Sequence, residues 1–217
     1  CGALQHMHDK GYIHRDIKPE NVLVNKAGEV RLIDFSLAVK QKGGLAKLFA
    51  GKQSAIQGTR TYIAPETIRK RQPTFQTDFY SLGVLIFEML CGKTPFQAPT
   101  PNELLQKHIS AEPPYPSEFN KNVSPELDKL VFKLLSKKPD ARGKDMAEIV
   151  GELRRIKFFI EEPTEKKEDV GGEQKKAALI TTLPPGVLDS RADAEWSDMV
   201  KENPELAGKL LARQEEL

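Results

Sequence analysis

Two short apolar runs rich in β-branched residues lie near the start of the chain, over residues 22–25 and 30–33. The four residues between them, 26–29, place Ala27 and Gly28 at the centre of a turn. Short β-branched runs on either side of a glycine-containing turn are typical of an antiparallel hairpin. The pattern therefore predicts a small β-hairpin in this part of the chain.

Helical periodicity dominates the rest of the first 160 residues. Apolar residues lie nearly all round the segment from Thr77 to Gly92, which predicts a buried helix with a threonine cap and a glycine stop. Other helices are predicted up to a stop at Gly11, from Thr100 and Pro101 through Ile109, and from Glu126 to Ser136 behind Ser124 and Pro125. The last of these carries a core stripe of Leu127, Leu130, Val131, Leu134 and Leu135.

The remaining segments lack a strong period. The stretch between Ser36 and Gly58 contains lysines and paired glycines, which predicts a loop. Residues 161–174 are charged, which is typical of a solvated linker. The apolar residues of 194–217 have the spacing of one or two helices. We expect one domain over residues 1–160, followed by a charged linker and a helical tail over 161–217. The tail can begin a second region, pack on the first domain or stay disordered, and the pattern leaves these alternatives open.

Charge and composition narrow the class of protein. Residues 1–160 carry 25 Lys and Arg against 17 Asp and Glu, a net of +8, whereas residues 161–217 carry 8 against 14, a net of −6. No basic stripe is interleaved with aromatic residues, so nucleic acid is not an expected partner. The apolar run after Thr77 is interrupted by Ser81, Gly83 and Glu88 and is too short to span a bilayer. Two cysteines give no disulfide framework and favour a reducing compartment, so we expect a cytoplasmic protein.

The hairpin brings candidate chemistry together. Asn21 comes directly before its first strand and Asp34 directly after its second, so antiparallel pairing makes them neighbours. An amide oxygen and a carboxylate are hard ligands, and Mg²⁺ needs only one or two of these in addition to substrate phosphates. Asp16, five residues before Asn21 on a tight loop, can point into the same space.

The segment His14-Arg15-Asp16-Ile17-Lys18-Pro19-Glu20-Asn21, followed by Asp34-Phe35-Ser36, resembles the catalytic loop and metal-binding segment of eukaryotic-type protein kinases. The resemblance covers residues 1–157 and implies the larger, C-terminal lobe of that fold. The implied fold class is mainly α (α+β), helical with a small β-hairpin beside the catalytic loop.

This resemblance implies roles for the motif residues. Asp16 would accept the proton of a substrate hydroxyl, and Lys18 would neutralise charge on the transferred phosphate. Asn21 and Asp34 would hold Mg²⁺, with ATP as the phosphate donor. Asp16-x-Lys18 is similar to the serine/threonine branch of the family, so protein substrates with Ser or Thr acceptors are the expected partners.

Further motifs follow in the family's order. Ala64-Pro65-Glu66 resembles the end of an activation segment. The resemblance implies that Thr59 forms a hydrogen bond close to Asp16 and Lys18. It also implies that Tyr62 lines the surface that receives the residue after the phosphoacceptor. Ser54 is a candidate regulatory phosphosite with Arg15 as its partner, or alternatively an ordinary polar loop residue.

Two more residues have architectural roles by the same resemblance. Asp78 would hold the backbone of the loop from His14 to Asn21. Arg142 would pair with Glu66, the glutamate that closes the activation segment, whereas the neutral interpretation is a surface arginine.

The chain shows no glycine-rich phosphate loop, no strand lysine and no glutamate partner for it, so an upstream ATP-binding lobe is expected and the chain alone should be inactive. The first hypothesis is a serine/threonine kinase fragment; the alternative is a non-catalytic binding module. Ser36 stands where the family has glycine and favours the second, because glycine permits backbone angles that serine resists. The kinase hypothesis is favoured by the intact set of Asp16, Lys18, Asn21 and Asp34, because a binding module has no physical need for all four.

Overall fold

The computed structural model of the chain describes residues 1–25, 28–41 and 60–161. Within these residues the fold is mainly helical, as the sequence predicts, with two small sheets. The helices are α1 (Gly2–Asp9), α2 (Pro65–Ile68), α3 (Phe75–Cys91), α4 (Pro101–Ser110), α5 (Pro125–Leu134) and α6 (Met146–Arg155). The strands are β1 (Tyr12–Ile13), β2 (Val22–Val24), β3 (Val30–Leu32) and β4 (Val39–Lys40).

The predicted hairpin is confirmed as the antiparallel pair β2–β3. Val22 lies opposite Leu32, and Val24 lies opposite Val30. Gly28 has a φ of 80°, a left-handed conformation that glycine adopts without steric cost. The turn glycine therefore allows the chain to reverse between the two strands.

A second sheet was not predicted. Strand β4 pairs antiparallel with β1, with Ile13 opposite Val39, and the Gln41 amide donates to the Gly11 carbonyl at 2.7 Å. The prediction of a loop throughout the stretch after Ser36 is therefore wrong for Val39–Lys40. Strands of two residues are too short to produce an alternating pattern, so only their long-range pairing reveals them.

Helix α3 is buried on both sides. Phe79, Leu82 and Leu85 belong to one core cluster, while Tyr80, Val84 and Phe87 belong to another. This confirms the interpretation of its all-round apolar pattern. The helix needs Gly83 for close packing, because a Cβ there would lie 2.8 Å from the Cβ of Leu134 on α5.

The N-terminus of α3 corrects one prediction. The cap is Thr74, not Thr77, and Thr77 occupies the third helical position. Its hydroxyl accepts the Thr74 backbone N–H at 3.1 Å and donates to Glu66 at 3.0 Å. Thr77 therefore serves a tertiary contact as well as the helix terminus, which local capping preference does not reveal.

Helices α4 and α5 begin at the predicted caps. Thr100 accepts the Glu103 backbone N–H, and Ser124 accepts the Leu127 backbone N–H. All five residues of the predicted α5 stripe are buried, although the helix ends at Leu134 rather than at Ser136. Helix α6 was not predicted; it begins behind Asp145, whose carboxylate accepts the Glu148 N–H.

Residues 157–161 follow α6 and run antiparallel to residues 122–124. The Ser124 amide donates to the Phe158 carbonyl at 3.0 Å, and the Ile160 amide donates to the Asn122 carbonyl at 2.7 Å. The Asn122 side chain bonds both backbone groups of Glu161, at 2.7 Å to its N–H and 2.8 Å to its carbonyl. These bonds connect Glu161 to the segment before α5.

Several predictions concern residues outside the ranges that the structure describes. The linker and helical tail after residue 161, and the loop residues Ser54 and Thr59, lie outside the described residues. The described part of the chain contains no helix with the length and apolar character needed to cross a membrane.

Replacement Asn122→Ala removes both side-chain bonds to Glu161. We expect the free energy of unfolding, measured in urea, to fall by about 1 kcal/mol, because intramolecular hydrogen bonds each contribute about 0.5–1.5 kcal/mol to stability. The Glu161 amide should also exchange faster by NMR. Lys121→Ala, at an exposed neighbouring position, is the matched control. Equal stability and equal Glu161 exchange in the two variants would contradict the role assigned to Asn122.

Candidate active site

The loop after β1 is held by a buried carboxylate from α3. Asp78 is fully buried, and its two oxygens accept the backbone N–H groups of His14 at 2.9 Å and Arg15 at 2.8 Å. The Nε2 atom of His8 lies 2.7 Å from the same carboxylate. A buried carboxylate needs such partners, and here they are the backbone of the loop itself. Asp78 thus anchors the backbone of this loop to α3.

Arg15 adopts a backbone conformation that side chains resist. Its φ is 73°, in the left-handed region where a non-glycine residue is strained. The bonds from Asp78 to two successive amides hold this conformation. Asp78 therefore fixes the backbone immediately before Asp16.

The ring of His14 connects the loop to the hairpin. Its Nδ1 accepts the Asp16 backbone N–H at 3.3 Å, so Nε2 carries the proton and donates to the Ile33 carbonyl at 3.2 Å. Burial lowers the pKa of His14 below its ordinary value, in keeping with a neutral ring. His14 therefore supports two segments at once.

The hairpin completes this connection. The Ile33 N–H donates to the Asn21 carbonyl at 3.0 Å, while the Ile33 carbonyl accepts from His14. Ile33 is thus bonded on both sides to the segment from His14 to Asn21. Asp34, the next residue, is brought to that segment as the sequence geometry predicted.

Asp16, Lys18 and Asn21 form one cluster of side chains. The Lys18 Nζ lies 2.6 Å from Asp16 Oδ2, and the Asn21 amide nitrogen donates to the same oxygen at 3.0 Å. Asn21 also donates to the Asp16 backbone carbonyl at 2.8 Å. Ile17, between the two charged residues, is buried in the core cluster of α3. The buried side chain of Ile17 therefore anchors the backbone between Asp16 and Lys18.

Asp34 is oriented by Ser36. Its Oδ1 accepts the Ser36 hydroxyl at 2.6 Å and the Ser36 backbone N–H at 3.2 Å. The hydroxyl bond is the largest influence that lowers the pKa of Asp34, and the charge of Lys18 lowers it further. Asp34 is therefore an ionised carboxylate beside the Asp16 cluster.

These residues fit the donor set for a magnesium ion. The Asn21 amide nitrogen donates to Asp16. The amide oxygen, Oδ1, is the atom of this side chain that could bind a metal ion. Asp34 supplies a carboxylate oxygen. Two hard oxygen donors together with substrate phosphates satisfy the preference of Mg²⁺ for oxygen ligands.

Tyr62, which the resemblance places beside the phosphoacceptor, packs against α3. It is 8% exposed, and its hydroxyl donates to Glu88 on α3 at 2.5 Å. Its carbonyl accepts the Ser81 hydroxyl at 2.8 Å. Both contacts anchor the segment before α2 to α3, so in this structure the hydroxyl of Tyr62 is directed inward.

Glu66 and Arg142 form a buried ion pair. The two guanidinium nitrogens donate to the two carboxylate oxygens at 2.7 and 2.8 Å, and the side chain of Arg142 is completely buried. Arg142 also donates to the carbonyls of Ser136 and Gln76. The structure therefore places Arg142 against Glu66 rather than on the surface.

Sequence reasoning missed His8 and Thr77 as supports of the site. His8 bonds Asp78, and its ring stacks on Phe75 with centroids 4.5 Å apart. A polar residue on the apolar face of α1 was the available signal, but its partner is 70 residues away.

The fold and this cluster define the class of the chain. The loop that carries Asp16, Lys18 and Asn21 and the carboxylate of Asp34 after the hairpin match the sequence motifs of protein kinases. Residues 1–152 match the family model described as the protein kinase domain, and the chain belongs to this family.

Several bacterial serine/threonine-protein kinases are similar to the chain. PknB of Mycolicibacterium smegmatis is 35% identical over 72% of this chain and 25% of its own length. A probable serine/threonine-protein kinase of Clostridium perfringens is 34% identical over 71% of this chain and 22% of its own length. PknB of Mycobacterium tuberculosis is 33% identical over 72% and 25%. The chain thus spans about a quarter of the length of these relatives.

Replacement Arg142→Glu should destabilise the chain by about 3 to 5 kcal/mol, because it leaves Glu66 buried beside a like charge. Unfolding in urea measures the change. Arg71→Glu, which reverses the charge of an exposed arginine shortly after Glu66 in the sequence, is the control and should change stability by less than about 1 kcal/mol. Similar losses for both variants would show that the buried pair has no special weight.

Proposed function

We propose that the protein containing this chain is a serine/threonine protein kinase that transfers the γ-phosphate of ATP to Ser or Thr hydroxyls of protein substrates. The observation that carries the proposal is the cluster of Asp16, Lys18 and Asn21, held in contact and brought to Asp34 through Ile33. The family and the names of the relatives support the reaction class.

The roles of the residues follow from charge and position. Asp16 accepts the proton of the substrate hydroxyl and orients its oxygen toward the phosphate. Lys18, 2.6 Å from Asp16, neutralises negative charge that develops on the transferred group. Because the ammonium and the carboxylate are already in contact, little reorganisation is needed when substrate binds.

Asn21 and Asp34 are the proposed magnesium ligands. Mg²⁺ held by these residues would neutralise negative charge on the phosphates of ATP. Asn21 also fixes Asp16 through its amide nitrogen, at 3.0 Å from the carboxylate. One residue therefore links the proposed base to the proposed metal position.

The chain represents the C-terminal lobe of this kinase in our proposal. Residues 1–160 form the lobe, residues 161–217 form a linker and tail, and the ATP-binding lobe precedes Cys1 in the parent protein. The much greater length of the relatives supports this arrangement. The chain alone then has negligible activity. The free thiols of Cys1 and Cys91 support a cytoplasmic location.

The segment before α2 would complete the substrate site. In this proposal Thr59 bonds near Asp16 and Lys18, Tyr62 borders the acceptor site, and a phosphate on Ser54 pairs with Arg15. The strained, anchored backbone of Arg15 supports its role as a fixed partner.

The alternative of a non-catalytic binding module loses its main support. Positive φ among the described non-glycine residues occurs at Arg15, Asp34 and Lys70. Ser36 is outside this set, so its backbone does not need the freedom of glycine. Replacement of the family's glycine therefore gives no reason to expect a broken site.

Replacement Asp16→Ala in the full-length protein tests the proposal. We expect kcat for phosphorylation of a Ser- and Thr-containing protein to fall by about 10²–10⁴-fold, since a positioned base contributes about that factor. Transfer of radioactive phosphate from ATP measures the rate, and phosphoamino-acid analysis should give phosphoserine or phosphothreonine.

The matched control is Asp9→Ala, which removes an exposed aspartate at the end of α1. It should retain wild-type activity. A wild-type protein without Mg²⁺-dependent transfer would refute the kinase assignment. An Asp16→Ala variant as active as the control would refute the role of Asp16 as the base.

A further inference from the structure

Ser36 has an unusually direct relation to Asp34. Its hydroxyl and its backbone N–H both bond Oδ1 of that carboxylate, at 2.6 and 3.2 Å. The glycine that the family motif has at this position can offer only the backbone N–H. The short hydroxyl bond is therefore a feature of this chain's own sequence.

The backbone around Asp34 is already fixed. Asp34 has a φ of 59°, a left-handed conformation, and follows Ile33, which is bonded to both His14 and Asn21. The next residue, Phe35, packs edge-on against His14 with ring centroids 5.5 Å apart. The remaining freedom of Asp34 is the rotation of its side chain, and this is what the Ser36 hydroxyl restricts.

We propose that Ser36 is a positioning residue that holds Oδ1 of Asp34 and thereby presents Oδ2 to the magnesium ion. The inference rests on the proposed function, because it takes Asp34 to be a metal ligand. Hydrogen bonds to a ligating carboxylate orient it, and loss of such a partner typically weakens metal binding about 10–100-fold. Ser36 is exposed, so we expect an effect at the lower end of this range.

Metal binding, rather than turnover, gives the most direct readout. The full-length protein with a non-hydrolysable ATP analogue is titrated with Mn²⁺, and free Mn²⁺ is counted by electron paramagnetic resonance. We expect Ser36→Ala and Ser36→Gly each to raise the Mn²⁺ dissociation constant about 10-fold. Ser36→Thr keeps the hydroxyl and should stay within about twofold of wild type.

Two controls separate positioning from general damage. Ser110→Ala removes an exposed hydroxyl on α4 and should leave Mn²⁺ binding unchanged. Affinity for the nucleotide analogue without metal should be the same in the wild type and in the Ser36 variants, because Ser36 acts only through Asp34. A loss of metal-free nucleotide affinity in Ser36→Ala would overturn the positioning role.

Asp34→Ala separates this inference from the proposed function. If Asp34→Ala weakens Mn²⁺ binding while Ser36→Ala and Ser36→Gly bind like wild type, the role of Ser36 is refuted and the kinase proposal stands. A Ser36→Thr variant as weak as Ser36→Ala would also refute the role of the hydroxyl. If Asp34→Ala has no effect on Mn²⁺ binding, the metal site and the inference both fail.

Discussion

The buried carboxylate of Asp78 is the interaction on which the site depends. It accepts the backbone N–H groups of His14 and Arg15 and contacts His8, and a fully buried carboxylate needs such partners. The strained φ of Arg15 is held by these bonds. Loss of these bonds would therefore release the backbone immediately before Asp16.

The first turn of α3 organises two parts of the structure through consecutive residues. Asp78 holds the loop that carries Asp16, while Thr77 donates to Glu66, the partner of the buried Arg142. Displacement of this helix end would therefore disturb both the loop and α2, which contains Glu66. The close approach of α3 and α5 at Gly83 fixes the helix and leaves it little room to shift.

The sequence predicted those features that are recorded locally. The hairpin, the all-round burial of α3 and the caps of α4 and α5 follow from short-range patterns and were confirmed. The β1–β4 sheet and the contact of Thr77 with Glu66 depend on partners outside the local segment, and local patterns do not contain that information. At Ser36 the residue type suggested backbone strain, whereas the structure shows a hydroxyl contact with Asp34.

Amide hydrogen exchange at His14 and Arg15 tests the dependence on Asp78 most directly. The variant Asp78→Asn keeps the side-chain shape and removes the charge, so about 1.5–3 kcal/mol of charge-assisted bonding should be lost. We expect these two amides to exchange at least about 10-fold faster in the variant, while core amides of α5 keep their protection. Unchanged exchange at His14 and Arg15 would contradict the claim that Asp78 holds the catalytic loop.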